Sequence, residues 1–170
     1  VILLLELATI RNTVIDGLYA KLSRPVIRSD SDGDVPEYPY VAYSITSPYI
    51  DSYGHDAERW FNVPGGIGVE RIKHIECAFS FSAYAEDEDD AQTLCLKIIE
   101  HFMREARDDL RDAGVVVVNI SGVQNRSVLL VEHYERRWGV DVRFRVVDRS
   151  ENIDATGGYI ESAEITNEGG

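Results

Sequence analysis

The chain predicts an α+β fold, one domain in which a mainly antiparallel β-sheet is packed by an N-terminal helix and a long central helix. Three observations lead there. Between Phe79 and Val146 the apolar period changes twice: FSFSAY alternates at Phe79–Tyr84, a stripe spaced three or four residues apart runs from Ala91 to Leu110, and alternation returns after Gly114. With 44% hydrophobic and 28% charged residues the composition is that of a globular protein rather than a disordered chain. At 170 residues the chain is long enough to bury a core without disulfides or a structural metal.

The elements follow in order. Leu3, Leu7, Ile10, Val14, Leu18 and Leu22 recur every three or four residues, which places them on one side of a first helix closed by Pro25. RSDSDGD at Arg28–Asp34 reads as a solvated turn within 28–35, Pro36 and Pro39 keep the chain extended, and YVAYSIT at Tyr40–Thr46 alternates as a strand. From Ser47 to Val69 glycine, proline and aspartate interrupt every period while Tyr49, Tyr53, Trp60 and Phe61 supply large aromatics, so a projecting loop or hairpin that touches a neighbouring subunit is expected. A second strand follows from Glu70, with Ile75, Cys77, Phe79, Phe81 and Ala83 facing the core and His74 and Glu76 able to meet on the other face as a surface pair.

The acids Glu86, Asp87, Glu88, Asp89 and Asp90 lie where a helix N-terminus favours negative charge. Ala91, Leu94, Cys95, Ile98, Ile99, Phe102, Ala106 and Leu110 then form one continuous helical face, Arg104, Arg107 and Arg111 suit its C-terminal end, and Gly114 fits a left-handed stop. Val115–Ile120 is expected as a strand, Ser121–Arg126 as a connection and Val128–Tyr134 as another strand. After Gly139, Val140, Val142, Phe144 and Val146 face the core, with Asp141, Arg143 and Arg145 on a wet or intersubunit side. Tyr159–Ile165 is expected as a short edge strand and Asn167–Gly170 as a loose tail.

Charge narrows the function. Seventeen Lys and Arg against thirty Asp and Glu leave a formal charge of −13, which opposes gripping nucleic acid by phosphate neutralisation. The same charge suits a wall past which DNA slides without sticking, because like charges repel within about 8 to 10 Å. VILLL at Val1–Leu5 is too short to span a bilayer and is followed by Glu6, so a soluble intracellular protein without membrane contact is expected.

Signals for chemistry are weak. Cys77 and Cys95 fall on core-facing positions and are expected as small core residues. DSDGD at Asp30–Asp34 lacks the spacing of a calcium loop, and His55, His74, His101 and His133 lack metal-ligand spacing, so no metal is expected. EDEDD is expected as a solvated helix cap rather than an acid–base pair. PGGIG, with Gly65, Gly66 and Gly68, neither follows an apolar strand nor precedes the Lys and Ser/Thr of a phosphate loop, and no serine or cysteine sits in a nucleophile elbow. No cofactor and no catalytic residue is expected. YERRW remains, and Tyr134, Arg136, Arg137 and Trp138 are residue types enriched at interface anchors, here either a subunit contact or the close of the domain core.

Four segments carry a resemblance: YPYVAYSITSP at Tyr38–Pro48, FSFSAYAEDEDDAQ at Phe79–Gln92, VVNISGVQNR at Val117–Arg126 and YERRWGVDVRFRV at Tyr134–Val146. In this order, over roughly Tyr38–Val147, the chain resembles the neck and tail terminator proteins of tailed bacteriophages. The resemblance implies a structural virion protein, assembled in the host cytoplasm into the tail or neck. It implies a ring-forming subunit, as a homohexamer, that caps the tail tube and joins it to the head completion or connector protein, with DNA passing through the lumen. The family offers no catalytic residues to carry over. On this reading Tyr49, Tyr53, Trp60, Phe61, Tyr134, Arg136, Arg137 and Trp138 are subunit-interface candidates, and Glu86–Asp90 are acidic lumen candidates. Two alternatives stand beside it: a tail-tube or head–tail connector subunit of the same particle, and an α+β enzyme that uses the acidic cluster.

Overall fold

A computed structural model describes residues 6–51, 54–131 and 133–154. The fold is α+β, a mostly antiparallel mixed sheet with a few helices. The elements are α1 (Leu7–Leu22), β1 (Val26–Arg28), β2 (Tyr40–Ile50), β3 (Ala57–Val63), β4 (Gly66–Ala85), α2 (Glu88–Glu100), a π-helical turn (His101–Glu105), α3 (Arg107–Asp112), β5 (Val116–Ile120), β6 (Gln124–Asn125), β7 (Val128–Leu129) and β8 (Tyr134–Asp154). They fall into two compact units, to both of which β4 and β8 contribute. Val1–Leu5, the expected strand at Tyr159–Ile165 and the tail at Asn167–Gly170 lie outside the described residues.

In the larger unit, residues 6–54 and 74–147, the strand order is β1–β2–β4–β8–β5. Alternation along β4 sends Ile75, Cys77, Phe79, Phe81 and Ala83 to one face, and each is fully buried. Val140, Val142, Phe144 and Val146 of β8 join them. Phe102 from the π-turn closes this core, its ring 5.4 Å from both Phe81 and Phe144. Phe79 meets Phe144 edge-on at 5.3 Å, one of the arrangements that aromatic quadrupoles favour. Helix α1 buries Val14, Leu18 and Leu22 and ends at Ser23, whose left-handed backbone donates to the Tyr19 carbonyl two residues before Pro25.

The central helix departs from the expected single α-helix at its π-turn, and the sequence contains the reason. Leu94, Ile98, Phe102, Ala106 and Leu110 are all buried at a strict spacing of four. At 3.6 residues per turn each such step rotates a side chain about 40° around the axis, so the last would drift far from the sheet. A wider turn at His101–Glu105 turns the stripe back. Gly114 ends the run with φ of +79°, as its position predicts.

Three local expectations are corrected. Arg28, expected to begin the solvated turn, instead ends a short strand at Val26–Arg28 parallel to β2, with Val26 opposite Val41. Val128–Tyr134 is not one strand: β7 covers Val128–Leu129 and folds back so that Leu129 lies opposite Tyr134 at the start of β8. Ser121–Arg126 is more than a connection, since β6 pairs Asn125 with Trp138 and Gln124 with Gly139.

In the smaller unit, described over residues 55–73 and 148–154, β3 and the first part of β4 form an antiparallel hairpin whose ladder runs from Ala57↔Ile72 to Val63↔Gly66. Gly65, with φ of +83°, makes the two-residue turn after Pro64. Phe61 lies over Gly68, where an added Cβ would come within 2.4 Å of the ring. Arg71 donates to Glu58 at 2.8 Å, and Arg149 stands 3.5 Å from Glu70. The interruptions seen between Ser47 and Val69 therefore enclose a regular ladder whose strand β3 shows no buried/exposed alternation to betray it.

Candidate functional site

The second face of the larger sheet is polar, and its centre is Arg126. Backbone bonds hold the segment before it onto β8: Ser121 N donates to Asp141 O at 2.8 Å, and Arg126 N donates to Arg137 O at 2.8 Å. Asp141 N in turn donates to Ser121 Oγ at 2.9 Å. So held, the Arg126 side chain lies across Gly139, where a Cβ would stand 2.4 Å from the guanidinium carbon. Glycine leaves room for this close approach, since a Cβ here would push the guanidinium aside.

From that position Arg126 reaches two strands. Its Nη1 donates to Ser80 Oγ at 2.7 Å and to Ser82 Oγ at 3.2 Å, and its Nη2 donates to Asp141 Oδ1 at 2.8 Å. Ser80 Oγ also donates to Asp141 Oδ1, at 2.6 Å. Partial burial acts to raise the Asp141 carboxyl, but the hydrogen bonds from Ser80 and Arg126 and the guanidinium charge outweigh it and hold it below the usual range. The carboxylate is thus a permanent acceptor near neutral pH, unsuited to giving up a proton.

Along the same face lie two further clusters. Glu76, expected as a surface partner of His74, is instead buried; its Oε2 stands 3.4 Å from Arg143 Nη1 and its Oε1 3.7 Å from Arg145 Nη2, while His74 is exposed. Burying a carboxylate is costly unless it is paired, and the two arginines of β8 supply the pairing. In the other direction Tyr38, Tyr40 and Tyr84 stack at centroid distances of 5.7 and 4.7 Å. Arg137 Nη1 donates to Tyr84 OH at 3.1 Å. Burial, and then the neighbouring Tyr84, push the Tyr40 phenol up to about 12. The four segments singled out in the sequence thus converge here: Tyr38 and Tyr40 from the first, Ser80 and Ser82 from the second, Arg126 from the third, Arg137, Gly139 and Asp141 from the fourth.

The interface candidates are not brought together into one cluster. In the larger unit Tyr49 and Tyr134 are exposed, and Arg136 sits over the Tyr134 ring at 5.2 Å. Arg137 belongs to the tyrosine stack, its Nε donating to Arg126 O at 2.9 Å. Trp138 is half-buried on the core side of β8, its indole Nε1 enclosed without a hydrogen-bond partner. In the smaller unit Trp60 is 65% exposed, whereas Phe61 is spent partly on Gly68. Tyr53 lies outside the described residues. Glu86, Asp87, Glu88, Asp89 and Asp90 are all exposed. Asp87 is the N-cap of α2, its Oδ1 accepting from Asp90 N at 2.8 Å.

Groups with chemical potential are arranged for packing. Cys77 and Cys95 are free and buried, and burial pushes both thiols up to about 11, away from the thiolate a nucleophile needs. His101, buried in the π-turn near the Lys21–Glu105 ion pair, has its pKa lowered mainly by burial, with Glu105 opposing and Lys21 adding to the shift. Among the described residues no group of three or more His, Cys, Asp and Glu side chains is placed to hold a metal ion. Among them, too, no helix is long and apolar enough to cross a membrane.

With that geometry in view, the sequence profile described as phage neck terminator protein matches residues 10–170. The chain belongs to the phage neck terminator family. Its matched region begins within α1 and takes in every later described element, including all four convergent segments. Neck terminators are structural phage proteins, which places this chain among the tail and neck components of the virion. No curated protein matches the sequence. Residues that sequence reading missed are Arg126, as the hub of the polar face, and Glu76, as a buried acid. The one available signal for the first was the glycine at 139 inside an otherwise large-residue strand.

Proposed function

We propose that this neck terminator forms a homohexameric ring that caps the tail tube and joins it to the head completion or connector protein, with DNA passing through the ring. The family match over residues 10–170 carries the reading. Physically, Arg126 and its partners stiffen the polar face by tying three elements together, so that the surfaces on either side of it are presented in fixed register. Tyr49, Trp60 and Tyr134, exposed aromatics, are the anchors proposed for subunit contacts, with Arg136 beside Tyr134. Phe61, Arg137 and Trp138 remain candidates for the same contacts, although Phe61 and Arg137 are partly engaged within the chain. The exposed acids Glu86–Asp90 are proposed to face the lumen, where like charge keeps DNA from adhering. The role is structural and needs no cofactor.

Electron microscopy of particles assembled with and without the chain tests this. A single ring at the head-proximal end of the tube is expected, together with tubes that fail to join heads when the chain is missing. The chain repeated along the whole tube would overturn the terminator reading in favour of a tube subunit. Finding Glu86–Asp90 on the outer rim would remove the lumen role alone.

A further inference from the structure

The larger unit carries two apolar features of opposite shape. One is convex: the β7–β8 hairpin presents Val128, Leu129, Leu130 and Val131 in succession, with Leu129 69% and Val131 fully exposed. Four adjacent apolar residues on a hairpin tip are unfavourable in water unless something covers them. The other is concave: a groove of about 430 Å³ between the π-turn and β5, lined by Ile99, Phe102, Met103, Arg107, Val117 and Val118. Strand β5 ends the strand order, so its outer edge is also unpaired among the described residues.

The tip cannot reach the groove of its own copy. Leu129 lies opposite Tyr134 on β8, whereas Val117 lies opposite Phe144. Those positions are ten residues apart on one strand, about 33 Å at 3.3 Å per residue. Charge also matches between copies. Arg107 at the groove is exposed and, among the described residues, forms no ion pair; Glu135, opposite Val128 on the hairpin, forms none either. In a chain of net charge −13 an unpaired arginine beside an apolar groove selects an apolar segment that brings an acid.

We infer that the β7–β8 hairpin tip of one copy seats in the groove beside β5 of a second copy, with Glu135 turned toward Arg107. The contact is head to tail, one face meeting a different face, and such contacts close into rings or run on as filaments. It supplies a specific subunit contact for the ring proposed above and rests on that reading only for the closure.

Two double variants test it in the full chain. Leu129→Glu with Val131→Glu charges the tip, and Met103→Glu with Val118→Glu charges the groove; all four positions are solvent-exposed, so folding is preserved, as circular dichroism checks. Sedimentation velocity is expected to show oligomers for the wild type and loss of every species above the monomer for each variant alone. An equimolar mixture of the two variants retains one intact tip and one intact groove, and is expected to give a 1:1 dimer and nothing larger. A wild type that stays monomeric up to its solubility limit overturns the inference. So does a tip variant that oligomerises normally yet fails to enter particles, since the tip would then serve another virion protein. A closed ring that both variants leave intact removes this contact and keeps the ring, whereas an open polymer abolished by both keeps the contact and removes the ring.

Discussion

The two faces of the larger unit's sheet are built from alternate residues of the same strands and are held by different physics. On one, Phe81 and Phe144 of β4 and β8 pack against Phe102 and Phe79 meets Phe144, contacts that gain from burial in almost any orientation. On the other, Ser80, Ser82 and Asp141 occupy the intervening positions, and their worth depends on Arg126 arriving within hydrogen-bond distance. The first face provides stability and tolerates substitution by volume; the second provides register and does not.

The largest effect is expected on the apolar side. Phe144→Ala empties a fully buried site that touches two other rings, and about 3 to 5 kcal/mol of unfolding free energy is expected to be lost in urea denaturation. A loss below 1 kcal/mol would mean that Phe144 is not central to the core. Arg126→Ala comes next, at about 1 to 3 kcal/mol, because Ser80 loses its donor and Asp141 keeps only the Ser80 hydroxyl. Gly139→Ala is expected to act through the same group by displacing the guanidinium, so it should add almost nothing in the Arg126→Ala background. Additive losses in that cycle would contradict the clamp.

This contrast also explains what could be read in advance. Period-two alternation marked Ile75 through Ala83 and Val140 through Val146 as core, and every one of those inward positions is buried. The helix face from Ala91 to Leu110 was equally plain, although its fourfold spacing was not read as the sign of a π-turn. Polar partners left no such trace. Glu76 pairs with Arg143 and Arg145 nearly seventy residues away, and nothing in the local pattern distinguished that from a surface pair with His74. Arg126 likewise depends on three distant segments at once. Strand β3 was expected only as part of a projecting loop or hairpin, because its residues are mostly exposed on both sides, which erases alternation.

Smaller effects sharpen the comparison. Asp87→Ala removes the α2 N-cap and is expected to lower stability by about 1 kcal/mol, read as a shift in the urea midpoint with unchanged slope. No shift would mean that Glu86 or Glu88 replaces the cap. Asp141 sets a pH dependence for the polar face alone. Its folded pKa is depressed, so its contribution is complete above the unfolded value of about 3.9 and is lost as pH falls through the folded value. Asp141 is 47% exposed at the side chain, so the change is modest. Asp141→Asn is expected to flatten the acid limb of the urea midpoint against pH, and an unchanged limb would place the acid sensitivity elsewhere.

The most direct test of the account is the mass of the full chain in solution, by native mass spectrometry across a range of concentration and salt. A discrete species of six 19.1 kDa subunits is the predicted result. A monomer under every condition, or a polymer that grows without limit, would contradict a neck terminator that closes into a single ring.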